Sequence, residues 1–144
     1  MFMPVRNAEA RWNGSITEGE GQMKLGSGAF EGAYSFKTRM GDQPGTNPEE
    51  LIGAAHAGCF SMALSAALGK AGFTPTSIYT KAAVRFDKQD AGFAITSIDL
   101  TTEAEIPEID DAKFQEIANG AKEGCPVSKA LAGTQINLKA SLKQ

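Results

Sequence analysis

Between Leu51 and Leu68 the chain carries no charged side chain, and its only strongly polar members are His56, Ser61 and Ser65. A stretch this long and apolar has to leave water as a unit, either across a bilayer or in the middle of a fold. Its richness in Ala and Gly, and the amphipathic strands expected on both sides, favour the fold. The start of the helix is written just ahead of it. Asn47 is a good N-cap, Pro48 suits the first helical position, and Glu50 stands three residues after the cap. Gly69 or Gly72 provides the stop. We therefore expect a central buried helix from about Pro48 to Leu68, apolar on nearly all sides.

The flanks read as strands. Ala8, Ala10 and Trp12 alternate with Asn7, Glu9, Arg11 and Asn13, the period-two pattern of a half-buried strand. Glycines at 14, 19, 21, 26, 28 and 32 punctuate further short strands, the last expected near Tyr34 to Arg39, before a loop over 41–45. Beyond the helix, Ile78, Thr80, Ala82, Val84 and Phe86 share one strand face. A turn at Asp90-Ala91-Gly92 leads into a partner strand, Phe93 to Glu105, whose apolar parity shifts between Ile95 and Ile98, the mark of a bulge. A second helix from about Asp110 to Glu123 buries Phe114, Ile117, Ala118 and Ala121, and Gly124 stops it. Cys125-Pro126 opens a short helix ending near Leu131, and a last strand alternates Ile136, Leu138, Ala140 and Leu142 with polar residues. Strands in runs with helices between the runs make this an α+β chain.

At 144 residues it is expected to form a single domain, residues 1–144. With 42% hydrophobic and 22% charged residues it is not a disordered chain. A net charge of −3 offers no basic surface for nucleic acid or an anionic membrane. The N-terminus lacks the apolar core of a signal peptide, so the cytoplasm is the expected compartment. No phosphate loop or dinucleotide fingerprint is present; the glycine-rich stretch over 19–32 precedes no helix. With one histidine and two cysteines no structural zinc set is complete, and neither a metal nor a cofactor is expected.

The reactive candidates are few. Cys59 lies about twelve residues into the apolar helix, past the reach of the helix dipole. On that ground alone it reads as a small core residue, and a reactive Cys59 needs a cation from elsewhere, Arg39 being the nearest candidate in sequence. Cys125, an expected N-cap, faces unsatisfied backbone donors that lower a thiol pKa; the plainer alternative is an ordinary cap. Helix physics leaves open which thiol is the nucleophile. His56 precedes Cys59 by three residues on the same face. A Cys–His pair there lacks a third residue to orient the base, so His56 is expected to line a pocket or find a partner in the core.

Two segments carry a resemblance. The run from Gly45 to Leu64, with Cys59 at its centre, is similar to the signature of the osmotically inducible protein C (OsmC) family. Asp90 to Thr96 and Gly124-Cys125-Pro126-Val127-Ser128 resemble that family's later motifs, so the likeness spans nearly the whole chain. Phe36-Lys37-Thr38-Arg39 and His56 look more like the OsmC branch than its sister, the organic hydroperoxide resistance proteins. The resemblance implies a thiol-dependent peroxidase in which Cys59 attacks the peroxide and Cys125 resolves the intermediate, with Arg39 and Glu49 completing the site. It also implies an intertwined homodimer with central helices and antiparallel sheets wrapped around them, acting in oxidative or osmotic stress defence. The partners expected are an organic hydroperoxide, more weakly hydrogen peroxide, and an external thiol reductant.

A different class, a non-enzymatic redox sensor or small-ligand binding dimer, fits the same two cysteines. Helix geometry adds one constraint. Along one helix Glu49 and Cys59 are about 15 Å apart and point roughly 80° away from each other, and Glu50 is no better placed at about 13.5 Å on the opposite face. A glutamate that acts at Cys59 is therefore expected from a second chain, the rival role for Glu49 being to complement its own helix dipole.

Overall fold

A computed structural model describes residues 3–143. Two compact units divide the chain, residues 1–51 and residues 52–144.

The first unit is built on an antiparallel sheet in the order β1-β2-β3, with β1 at Ala8–Asn13, β2 at Glu20–Leu25 and β3 at Glu31–Tyr34. Its register pairs Trp12 with Gly21 and Gly21 with Tyr34. A Cβ on Gly21 would come within 2.5 Å of the Tyr34 ring and 2.8 Å of the Trp12 ring. The missing side chain is what lets the two rings meet, with centroids 5.5 Å apart. The strand expected over Tyr34 to Arg39 stops early. Phe36–Met40 is a short helix, α1, because Ser35 caps it: its side chain accepts from the Thr38 N–H and the Thr38 hydroxyl accepts from the Ser35 N–H. That reciprocal cap outweighs the strand propensity of Phe36 and Thr38.

Helix α2 runs Pro48–Lys70. Asn47 accepts from the Glu50 N–H at 2.8 Å, as its position before Pro48 leads one to expect. The helix ends two residues beyond Leu68. Gly72 takes φ +91, the Phe73 N–H bonds back to Leu68 at 2.9 Å, and the Gly72 N–H to Gly69 at 3.1 Å. These two bonds satisfy carbonyls that the helix end would otherwise leave bare.

In the second unit β4, Ser77–Gln89, and β5, Gly92–Glu105, form a hairpin, and β6, Gln135–Leu142, lies parallel to β5. Between them come α3, Asp111–Gly124, and α4, Pro126–Ala130, the helical crossover that a parallel neighbour requires. The hairpin register jumps where Arg85 faces Ser97 and Phe86 faces Ile95, so Thr96 is the extra residue of the expected bulge. Phe60, Leu64 and Leu68 of α2 share a core with Ile98, Leu100 and Ala104 of β5 and Phe114, Ala118 and Ala121 of α3. Phe114→Ala is expected to cost about 3–5 kcal/mol, measured by urea denaturation, since its ring is fully enclosed.

Within one chain α2 is not covered all round. Gly53, His56, Phe60, Leu64 and Leu68 are buried, whereas Ala54, Gly58, Met62, Ala66 and Gly69 form an exposed stripe. By length and composition α2 is apolar enough to cross a membrane, yet one face already belongs to the core of its own unit.

Candidate active site

Cys59 comes from the middle of α2, and Cys125 from the single residue between α3 and α4. Although 66 positions apart in sequence, their sulfurs lie 3.0 Å from each other, and both are free thiols. The fold achieves this because Gly124 and Cys125 close α3 just where its buried face, with Ala121, meets the core shared with Phe60.

A second bond joins the same two elements. His56, three residues before Cys59, holds the Ser128 hydroxyl at 2.7 Å through Nε2, and Ser128 lies three residues after Cys125. His56 is fully buried and its Nδ1 has no hydrogen-bond partner among the described residues. It thus finds the core partner expected of it. Ser128 closes the motif that begins at Gly124, and its three-residue offset from Cys125, matching that of His56 from Cys59, is the sequence signal for this contact.

Electrostatics separate the two thiols. Burial pushes the Cys59 thiol up, and its hydrogen bond and charge contact with Cys125 push it further, against a lowering by the Val127 N–H. Burial acts on Cys125 in the same sense, but the Cys59 thiol, the Ser128 N–H and hydroxyl and the Val127 N–H outweigh it, so Cys125 lies below the usual thiol range. Cys125 is the N-cap of α4 and forms no close capping hydrogen bond; nearby donors still favour its anion. Within residues 52–144 the local donors favour an anion at Cys125 more than at Cys59.

His56 has its pKa lowered from the ordinary 6.5 by burial alone. The sign follows directly. Above that value both folded and unfolded states are neutral; below it the unfolded chain takes up a proton first, so stability falls as pH drops. The loss is expected to approach about 1.4 kcal/mol per pH unit. Urea titrations of the native chain and His56→Gln should show this acid limb flattened in the variant.

Arg39 and Glu49 meet in the first unit. Arg39, in the last turn of α1, donates from Nε to Glu49 Oε1 at 3.0 Å and from Nη2 to Oε2 at 2.8 Å. This two-pronged pairing fixes the guanidinium plane. Asn47 supports it by donating to the Thr38 carbonyl at 3.2 Å, which ties the start of α2 to α1. Glu50 is exposed, and its N–H is held by the Asn47 cap. Two pairs thus stand in place, Cys59 with Cys125 and Arg39 with Glu49.

Residues 41–140 match the family model described as OsmC-like protein. The chain belongs to the OsmC family. Glu49, Cys59 and Cys125 fall inside the matched segment, and Arg39 lies just ahead of it. Peroxiredoxin OsmC of Escherichia coli is 53% identical over 139 residues, covering 96% of both chains. The organic hydroperoxide resistance protein OhrB of Bacillus subtilis is 36% identical over 102 residues, 70% of this chain and 72% of the relative. The higher identity agrees with the OsmC branch indicated by His56 and the Arg39 segment. The OhrB crystal structure superposes with a TM-score of 0.69 at 28% identity, covering 95% of this chain and 98% of OhrB. An OsmC-like protein of unknown function from Vibrio cholerae, at 15% identity, shares the OsmC fold with a TM-score of 0.77, over 96% of this chain and 99% of that one.

Proposed function

We propose that this OsmC-family chain is a thiol-dependent peroxidase that reduces organic hydroperoxides, and hydrogen peroxide more weakly. The observation that carries the reading is the pair of free thiols 3.0 Å apart on separate elements, in a chain 53% identical to a peroxiredoxin. The Cys59 thiolate attacks the outer oxygen of R–O–OH, forming Cys59–SOH and releasing RO⁻, which takes a proton. The Cys125 thiol then displaces the hydroxyl: the S–S bond forms and water leaves. An external dithiol reduces the disulfide by exchange, because the chain has no third cysteine. The apolar character of α2 about Cys59 is what favours an alkyl or lipid peroxide over hydrogen peroxide.

A thiolate on Cys59 needs a counter-charge, since Cys125 is otherwise the better anion. We assign that role to the Arg39 guanidinium, held by Glu49. As Glu49 and Cys59 sit ten residues apart on one continuous helix, about 15 Å along its axis, the pair is supplied by a second chain. The exposed stripe of Ala54, Gly58, Met62, Ala66 and Gly69 supports this, because small residues let two such helices cross closely about a twofold axis. Only 28% of the apolar stretch of α2 is buried within its own chain, and the exposed stripe is free to pack on a partner copy. Each functional unit is then one OsmC-like domain, residues 1–144, in a homodimer with two composite sites. Two free thiols suit the reducing cytoplasm.

Peptide mapping after stoichiometric peroxide tests the disulfide. The sulfurs need to close by only about 1 Å to reach bonding distance, so one intramolecular Cys59–Cys125 bridge is expected. Intermolecular bridges alone, or two free thiols, would overturn the assignment.

A further inference from the structure

We infer that the external reductant attacks the disulfide at the Cys59 sulfur and expels Cys125, so that the mixed disulfide of the reductive half-reaction forms on α2. The inference deepens the peroxidase reading, and the choice of sulfur depends only on the bridge itself.

The two members of the pair differ in access. Cys125 is fully enclosed, part of the core that Ala121 of α3 shares with Phe60 and Leu64 of α2. Val127 and Leu131, on α4 and just after it, pack against the same core. Cys59 also packs against it, yet keeps solvent contact. The His56–Ser128 bond at 2.7 Å, each end three residues from a cysteine, keeps the Cys125 turn docked on α2. Bringing the sulfurs from 3.0 Å to bonding distance takes about 1 Å. That is too little to lift a fully enclosed side chain to the surface. The oxidised chain therefore offers one reachable sulfur, that of Cys59.

Displacement at sulfur runs in line, with the entering, attacked and leaving sulfurs on one axis. The reductant thus enters on the side of Cys59 turned away from Cys125. Its thiolate, R′S⁻, forms a bond to the Cys59 sulfur as the Cys59–Cys125 bond breaks. The electron pair of the broken bond leaves on Cys125, which takes a proton. The second thiol of the dithiol then attacks the R′ sulfur, closing the reductant's own disulfide and releasing Cys59. Two electrons have passed from the dithiol to the cysteine pair. A leaving thiol of lower pKa departs faster; burial works against the Cys125 anion, but its neighbours outweigh burial. The reverse choice needs a thiolate inside the core and leaves the departing charge on Cys59, where burial opposes it. Peroxide and reductant use the same sulfur in turn, one on the reduced chain and the other on the oxidised chain.

The test uses the full-length native chain, oxidised with diamide so that the bridge is made without peroxide. The bridged chain is mixed with 2-mercaptoethanol or with glutathione. At early times it is quenched and unfolded in acidic guanidinium containing N-ethylmaleimide, then mapped by mass spectrometry. The thiol adduct is expected on the Cys59 peptide and the maleimide on the Cys125 peptide. This pattern should exceed its reverse by at least about tenfold, because access and leaving-group pKa act together. The same preference is expected with both thiols.

An excess of adduct on Cys125, an equal partition, or a chain that diamide does not bridge would overturn the inference. If the adduct falls on Cys59 while cumene hydroperoxide leaves the native chain unoxidised, the peroxidase reading fails and the direction of exchange stands.

Discussion

Cys59→Ser is expected to lose peroxide turnover completely, and Cys125→Ser to consume one equivalent and then stop. The two losses differ because the proposed roles of the two sulfurs differ. With Cys59 gone no thiol accepts the peroxide oxygen, whatever the state of Cys125. With Cys125 gone the first step still runs, but Cys59–SOH has no neighbour to condense with and is left to climb to sulfinic acid under excess peroxide. Mass spectrometry of the Cys125→Ser chain should find one added oxygen at low peroxide and two or three at high. A reversed pattern, in which Cys59→Ser retains the first oxidation, would exchange the roles. That outcome has a physical basis within a single chain, where burial holds Cys59 above the thiol range and local donors bring Cys125 below it. A cation brought to Cys59 reverses that order in the proposed dimer.

Arg39→Ala is expected to reduce turnover by about 10- to 100-fold, the range for losing a hydrogen bond to a charged group. The loss should appear in the first oxidation, with the Cys59 titration moved upward, while disulfide closure is unaffected. Mixing Arg39→Ala with Cys59→Ser then separates the two possible architectures. Each homodimer lacks one half of every site. If the guanidinium and the attacking thiol come from different chains, a heterodimer rebuilds one site from the intact Arg39 of one subunit and the intact Cys59 of the other. Random exchange in an equal mixture should restore about a quarter of native activity. No recovery despite verified exchange would count against the shared site and return Glu49 to a role at its own helix N-terminus.

Much of this was written locally. The Asn47 cap, the Gly72 stop, the β5 bulge and the Cys125-Pro126 helix start are features in which the deciding residues are neighbours in sequence. The segment after Tyr34 misled because its side chains suit a strand, and a reciprocal Ser35–Thr38 cap decided the matter instead. Non-local facts were harder to see. The sulfur–sulfur contact spans 66 positions and the His56–Ser128 bond 72, and no periodicity reports a pairing at that range. The resemblance supplied the cysteine pair, whereas the contact of Ser128 with His56 is evident only in the fold. The apolar α2 segment announced that it must be buried but not by what, and one chain covers one face of it.

Catalytic turnover through a Cys59–Cys125 disulfide is read directly from peroxide consumption by the native chain with excess dithiothreitol. Many equivalents of cumene hydroperoxide are expected to be consumed per chain, the rate persisting until peroxide or dithiol is exhausted. A single equivalent consumed, followed by no further loss while reductant remains, would contradict it and identify the thiols as a sensor instead.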